Sequence, residues 1–182
     1  MWSMPVGTIS ATERNKFLVR RFVEDVWNAG KLDVADEVLA ANYIEHPSSP
    51  DESREEEPTG PDGMKQFVMM FRSAFPDMEF TIDHMVAEGD KVAIQLTGRG
   101  THKGDLRDLA PTGKRVTIGG AAIHRIQDNK IVETYQVVDR LSLREQLGAP
   151  QIGDLDVGRQ HHDYRTGISR RGRERGHGCR HG

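Results

Sequence analysis

The spacing of the apolar residues changes once along this chain, and that change constrains its fold more than any other feature. Before Pro76, the run from Met64 to Phe75 places apolar residues at helical spacing. After Pro76, the run from Val92 to Leu96 alternates large aliphatic residues with small or polar ones, which is the pattern of a strand with one buried face. Helices first and an antiparallel sheet afterwards indicate the α+β class.

The helical part predicts three N-terminal helices. The first runs from about Ala11 to Asn28 behind a capping box at Ser10–Glu13, and the second runs from Val34 to Ala41. The segment Tyr43–His46 then has the composition of a short extended stub. Pro76 ends the third helix, because proline interrupts helical hydrogen bonding.

The alternating part predicts a meander of strands. One strand begins near Phe80 and turns at Glu88–Asp90 into the next. A later hairpin joins Arg115–Ile126 to Ile131–Val138 through an Asp128–Asn129 turn. A curved sheet that is covered on one side by three helices leaves an apolar hollow between the layers, and such a hollow is the default ligand site.

A two-residue turn between Gln127 and Lys130 predicts the register of that hairpin. In this register Ala121 faces Gln136. A β-bulge would shift the pairing by one residue and exchange the two faces of the sheet.

Composition divides the chain into two unlike parts. The formal net charge of −3 is the sum of a negative net charge on residues 1–156 and a positive net charge on residues 157–182. The basic part is rich in Arg, Gly and His and too poor in aliphatic residues to offset its ordering entropy by burial. We therefore expect an N-terminal extension over 1–10, one domain over 11–150 and a disordered basic tail over 151–182. The alternative for the tail is a nucleic-acid-binding arm, but a single aromatic residue supports it poorly.

The sequence also argues against several classes of protein. No stretch reaches the roughly 18 apolar residues of a membrane span, and the N-terminus lacks a signal peptide, so we expect no membrane partner. The sole cysteine, Cys179, cannot form an internal disulfide, which fits the cytoplasm. The histidines of residues 1–156 lack the spacings of metal ligands, so we expect no metal site.

Three residues are candidates for acid–base chemistry. His46 ends the extended stub, and histidine suits proton transfer near neutral pH; the alternative is a hydrogen-bonded structural residue. His102 ends a strand between Gly100 and Gly104, where a ligand can approach the backbone; the alternative is an exposed loop histidine. Asp139 closes the last strand and is either a base at the mouth of the hollow or the N-cap of a terminal helical turn.

Two polar residues interrupt the last strand and are candidates for substrate binding. Tyr135 and Gln136 can donate hydrogen bonds to a carbonyl or enolate oxygen, and the alternative is ordinary cross-strand packing. The other residues that we expect to line the hollow are Trp27, Tyr43, Phe71, Ala122 and His124.

Short segments along the chain carry a resemblance to a known family. They are Asn28–Gly30, Leu39–His46, Gly60–Gly63, Phe75–Asp77, Gly100–Gly104, Pro111–Val116, Arg125–Glu133 and Val137–Gly148. In this order and spacing the chain, from about Asn15 to Gly148, resembles the SnoaL-like polyketide cyclase (ester cyclase) family. The resemblance implies the cone-shaped α+β fold that the family shares with ketosteroid isomerases and scytalone dehydratases, and a homodimer formed through the outer face of the sheet.

The resemblance also implies an activity. Family cyclases close a ring by intramolecular aldol addition on a polyketide methyl ester, without cofactor or metal, and an aspartate acts as acid and base. Their aspartate falls on Gln136, their histidine on Ala122, their glutamine on Gly120, and their pocket asparagine on Glu45 or His46. Gln136 cannot titrate, so it can orient a carbonyl but cannot take a proton.

We therefore expect a cofactor-free enzyme of the cyclase or isomerase type that acts on a small hydrophobic carbonyl compound. His46, His102 or Asp139 would supply the acid or base. The alternative is a non-catalytic small-molecule-binding protein on the same fold. Epoxide hydrolysis on this fold would need an Asp-Arg-Asp relay, which the sequence does not show.

Overall fold

The computed structural model describes residues 10–46, 59–106 and 109–148. The predicted tail over 151–182 and most of the predicted extension over 1–10 lie outside these residues. The proposed division of the chain into three parts therefore stays a prediction.

Helices precede the long strands, which confirms the α+β class. The helices are α1 (Ala11–Arg21), a π-helix that continues it (Phe22–Asn28), α2 (Val34–Val38), α3 (Gly60–Ala74) and α4 (Arg140–Leu147). The strands are β1 (Leu39–His46), β2 (Glu79–Glu88), β3 (Lys91–Thr101), β4 (Arg115–Gln127) and β5 (Lys130–Val138). None of the helices in these described ranges is long and apolar enough to cross a membrane.

The five strands form one curved, unclosed sheet in the order β1-β5-β4-β3-β2. The four strands from β2 to β5 pair with one another in antiparallel orientation, as predicted. The predicted stub is longer than expected and becomes the edge strand β1, which pairs with β5 in parallel. The predicted end of the second helix at Ala41 is wrong: α2 stops at Val38, because Leu39 already pairs with Ile131.

The first helix starts and ends as the sequence predicts. The Ser10 hydroxyl accepts a hydrogen bond from the Glu13 amide at 3.2 Å, which is the N-cap interaction. The last seven residues adopt the wider π-helical turn. As at any helix C-terminus, the last carbonyl groups have no partner inside the helix. Arg72 of α3 satisfies two of them, since its Nη1 donates to the carbonyls of Trp27 and Asn28 at 2.9 and 2.8 Å.

The Asn28 side chain ties the end of the π-helix to the sheet. Its Nδ2 donates to the Phe80 carbonyl, and its Oδ1 accepts from the Phe80 amide, both at 2.8 Å. These bonds occupy the exposed edge of β2 and fix the adjacent Trp27 over the sheet.

The turn between β4 and β5 has the predicted geometry, since Asp128 and Asn129 both have positive φ values, 51° and 57°. These values match the twist of the flanking strands.

A β-bulge beyond this turn shifts the register. From the Arg125–Glu133 pair onwards the pairing moves by one residue, so that Gln136 faces Ala122 rather than Ala121. The predicted register is therefore wrong beyond the bulge, because one extra residue of β5 lies opposite β4. The shift decides which side chains of β5 face the helices.

The sheet has an inner face, which packs against the helices, and an outer face. On β5, Thr134 and Gln136 lie on the inner face, whereas Glu133, Tyr135 and Val137 lie on the outer face. Two apolar clusters fill the space over the inner face. The larger one joins the helices to the middle of the sheet, and the smaller one surrounds Phe75, Met78, Val116, Ile118 and Leu147.

Candidate functional site

The positions that the family resemblance singles out lie together on the inner face. Ala122 of β4 pairs with Gln136 of β5, and Gly120 is two residues from Ala122 on the same face. Gly120 pairs in turn with Leu96 and Val138. The shifted register is what brings these positions side by side.

Part of this inner face is accessible. Leu96, Gly120, Gln136 and Val138 are half-buried although they face the helices. Ala122, next to them, is buried. These four residues form an accessible strip that ends at Gln136. The strip lies between the two apolar clusters, because Leu96 packs against the larger cluster and Val138 against the smaller one.

Aromatic side chains of the helices and of β2 pack together over the inner face. The rings of Phe67, Phe71 and Phe80 meet Trp27 edge to face, with centroid distances of 5.9, 5.8 and 5.5 Å. Trp27 and Phe71 are half-buried, so neither residue is fully enclosed. The structure thus brings together two of the predicted lining residues.

A carboxylate is buried beside Gln136. Glu45 of β1 is 5% exposed and lies on the inner face. The Gln136 amide donates to its Oε1, and the Tyr43 hydroxyl donates to its Oε2 at 3.1 Å. Burial, and next the charge of Glu45, raise the pKa of Tyr43 well above its ordinary value. Tyr43 therefore stays protonated and remains a donor to the carboxylate.

The side-chain hydrogen bonds that join Gln136, Glu45 and Tyr43 continue through Thr134 to His124; we call this series the polar chain. The Thr134 hydroxyl lies within hydrogen-bonding range of the Tyr43 hydroxyl, and its Oγ1 is 2.9 Å from His124 Nδ1. Because Tyr43 gives its proton to Glu45, Thr134 donates to Tyr43 and accepts from His124 Nδ1–H. Burial lowers the pKa of His124 to about 4, so this histidine is neutral at pH 7.

His124 ends the chain inside the apolar core. Its ring meets Phe22 edge to face at 6.1 Å. Among the described residues no hydrogen-bond partner reaches its Nε2, which carries no proton when Nδ1 is protonated. His124 is therefore the buried end of the polar chain, where it donates to Thr134, and it is not part of the accessible strip.

His46 and Tyr135 lie on the outer face and are brought together there. Their rings stack at 4.1 Å with an interplanar angle of 6°. The Tyr135 hydroxyl and Arg125 Nη2 both donate to Glu133, at 3.1 and 2.6 Å. The bond from Arg125, above all, holds the pKa of Glu133 below its ordinary value, while that carboxylate raises the pKa of Tyr135. Tyr135 and Gln136 point to opposite faces and cannot orient the same carbonyl.

His102 lies in the smaller apolar cluster. It is fully buried, so it is not the exposed loop histidine of the alternative interpretation. Its Nδ1 accepts from the Thr112 amide at 3.2 Å, and its ring lies 5.1 Å from that of Phe75. Eight residues of β3 separate it from Ile94, which is in the Gln136 row, or about 26 Å along the strand.

Asp139 caps α4. Its Oδ1 accepts from the Ser142 amide at 2.9 Å, and the helix ends at Gly148 in the left-handed conformation with φ 76°. The N-cap interpretation of Asp139 is therefore confirmed. The three candidate acids or bases thus occupy three separate places in the fold.

Sequence reasoning did not single out Glu45 as a site residue. It treated Glu45 only as one of two possible positions for an asparagine of the family. The available signal was the alternation of Tyr43 and Glu45 on one strand, which places both side chains on one face. Within the described ranges, no three His, Cys, Asp or Glu side chains are grouped so that they could hold a metal ion.

Comparison with known proteins assigns the family. The family model described as SnoaL-like polyketide cyclase matches residues 17–147. The chain belongs to this family. An aklanonic acid methyl ester cyclase of Streptomyces peucetius is 33% identical over 137 residues, which cover 73% of this chain and 90% of that cyclase.

Solved structures agree with this assignment. A structure assigned to the polyketide cyclases, from Acidithiobacillus ferrooxidans, is 31% identical with a TM-score of 0.66, and covers 76% of this chain and 97% of its own. A SnoaL-like structure from Jannaschia sp. CCS1 has a TM-score of 0.68 at 21% identity, covering 82% of this chain and 100% of its own, and supports the fold alone. The fold is therefore the cone fold of SnoaL-like cyclases.

Proposed function

We propose that this protein catalyses cofactor-free acid–base chemistry on a small hydrophobic carbonyl compound. The reaction is an intramolecular aldol cyclisation or an isomerisation through an enolate. One observation carries the proposal: Gln136 and Glu45 form a hydrogen-bonded amide–carboxylate pair on the inner face, at the border of the accessible strip. A donor for a carbonyl oxygen and a proton acceptor thereby lie next to each other.

The surroundings of the pair favour a flat, apolar substrate. Trp27 and Phe71 contact each other on the helix side, Leu96 and Val138 lie on the sheet, and all four residues are half-buried. Such walls take up the body of a polyketide, while Gln136 Nε2–H holds one carbonyl oxygen. The 33% identity to an aklanonic acid methyl ester cyclase makes that ester the first substrate to test.

The first prediction concerns the Gln136 amide. Gln136→Ala should lower kcat on aklanonic acid methyl ester by about 10²–10³-fold, as expected when one donor to a developing oxyanion is removed. Turnover is measured by the absorbance change on ring closure. Met69→Ala, an exposed change on α3, serves as the control and should turn over like the wild type. A wild type that neither converts nor binds this ester or other aromatic β-keto esters would contradict the proposed function.

A non-catalytic binding protein is the second candidate. The observation that favours it is that Gln136 and Ala122, two positions of the family's catalytic set, bear side chains that cannot titrate. This candidate predicts saturable binding of the ester without turnover by the wild type. Gln136→Asp should then create cyclase activity, because it restores a carboxylate at that position.

We also propose that two copies associate through the outer face of the sheet. Tyr135 and Val137 are 49% and 65% exposed there, and Ile123 beside them is 46% exposed. Apolar surface of this kind on a sheet favours burial against another surface. The cytoplasm, which the lone Cys179 favours, is the location that we propose.

A further inference from the structure

We propose that Glu45 is the general base of this site, so that β1 supplies the carboxylate that related cyclases carry on β5. This inference rests on the proposed function and names the group that moves the proton. It assigns a catalytic role to a residue outside the set of His46, His102 and Asp139.

The burial of Glu45 is the first argument. Moving a carboxylate out of water costs several kcal/mol unless hydrogen bonds compensate. Here Tyr43 and Gln136 each donate a hydrogen bond to one of its two oxygens. Gln136 is itself half-buried at the accessible strip, so the carboxylate lies directly behind a surface that a ligand can reach.

The position of the other titratable groups is the second argument. His124 is neutral and lies behind Thr134 at the far end of the polar chain. His46 lies on the outer face, stacked on Tyr135. His102 belongs to the smaller apolar cluster, and Asp139 caps α4. Within the part of the chain that the structure describes, Glu45 is therefore the candidate base that hydrogen-bonds to Gln136.

The proposed reaction begins with an exchange of hydrogen bonds. The substrate carbonyl oxygen accepts the Gln136 amide, which until then faced Glu45 Oε1. The carbon next to that carbonyl comes to Oε1 in place of the amide. Tyr43 keeps donating to Oε2 and holds the carboxylate in this orientation.

The chemical steps balance without a cofactor. Glu45 takes a proton from the carbon next to the carbonyl; the C–H electron pair forms the enolate C=C bond, and the C=O π pair moves to oxygen. Gln136 stabilises this oxyanion. An oxygen pair of the enolate then re-forms the C=O bond, and the C=C pair forms a C–C bond to a second carbonyl carbon of the same molecule, whose π pair moves to its oxygen. The resulting alkoxide takes the proton back from Glu45, so that no electrons enter or leave.

The experiment compares Glu45→Gln with the wild type on aklanonic acid methyl ester. Glu45→Gln keeps the shape of the side chain and can still accept from Tyr43, but it cannot take a proton. We expect kcat to fall by about 10²–10⁴-fold, the range that general base catalysis contributes, while ester binding stays within about threefold of the wild type. Exchange of the acidic C–H of a non-cyclising β-keto ester for deuterium, followed by NMR, should be lost in parallel.

A relocated carboxylate provides the second variant. Glu45→Asn combined with Gln136→Asp exchanges the amide and the carboxylate between β1 and β5. This double variant should regain at least about tenfold of the activity that Glu45→Asn alone loses. It keeps a carboxylate base at the pair open to refutation if Glu45→Gln does not fold. A folded double variant without this gain would contradict a carboxylate base at the pair.

The two proposals fail in different ways. If the wild type converts no carbonyl ester and exchanges no deuterium, the proposed function is wrong. If the wild type is active and Glu45→Gln retains its rate and its exchange, the function stands, but Glu45 is not the base. Met69→Ala, an exposed change on α3, should leave catalysis unchanged in both assays.

Discussion

At the scale of single residues, the direction in which a side chain points decides its chemistry here. Glu45 and His46 are neighbours on β1, as Tyr135 and Gln136 are on β5. In each pair one residue faces the helices and the other faces outwards. Titratable character alone would favour His46, yet the inner face places Glu45 beside the accessible strip.

His124 yields a prediction about stability and pH. Its pKa is about 4 in the folded protein and 6.5 ordinarily, because burial disfavours the charged ring. As the pH falls below 6.5, the unfolded chain binds a proton that the folded chain does not bind until about pH 4. The free energy of unfolding should therefore fall across this range by up to about 3 kcal/mol, and this group contributes no further loss at lower pH.

Urea denaturation at several pH values between 7.5 and 4 measures this effect. His124→Gln lacks the titration and can keep a hydrogen bond to Thr134, so it should lose less stability than the wild type over that range. Equal losses in the two proteins would show that His124 accepts a proton in the folded state.

At the scale of elements, the ends of helices and strands follow local rules more closely than their pairing does. The capping box at Ser10 starts α1, and the Asp128–Asn129 turn closes the β4–β5 hairpin, as predicted. The parallel pairing of β1 with β5 has no such local signal, because it joins Glu45 to Thr134, far apart in sequence. Pairing at that distance depends on the whole sheet.

Asp139 provides the prediction at this scale. Asp139→Ala removes the acceptor for the Ser142 amide and should lower the free energy of unfolding by about 1 kcal/mol, while kcat stays close to that of the wild type. Denaturation and turnover of the same samples test both parts. Asp139→Asn is the matched variant, since it keeps a good capping side chain without the charge. Loss of turnover in a stable Asp139→Asn protein would assign Asp139 a role in catalysis.

At the scale of the whole molecule, the two faces of one sheet have separate roles. The inner face, together with the helices, encloses the apolar clusters and the Glu45–Gln136 pair. The outer face exposes Ile123, Tyr135 and Val137. The proposed reaction belongs to the first face and the proposed association to the second.

The prediction at this scale concerns assembly. Ile123→Glu places a charge in the middle of the outer face and should convert a dimer into a monomer, because burying an unpaired carboxylate in an interface costs several kcal/mol. Light scattering coupled to size-exclusion chromatography measures the mass. Met69→Glu adds the same charge to an exposed apolar position on α3 and should leave the mass unchanged. A wild type that already runs as a monomer would contradict the proposed association.

The sequence by itself determined the class of fold, the family and most of the element boundaries. Apolar spacing, caps and turns act within a few residues, so the local sequence is enough to predict the helix around Met64–Phe75 and the turn at Asp128–Asn129. Only the tertiary structure decided the site. One extra residue in β5 turned Gln136 towards Ala122, and the parallel edge strand set Glu45 against Gln136. A bulge moves the side chains beyond it to the opposite face of the sheet, and a pairing between distant strands leaves no local sequence pattern. Both features can therefore be seen only in the assembled sheet.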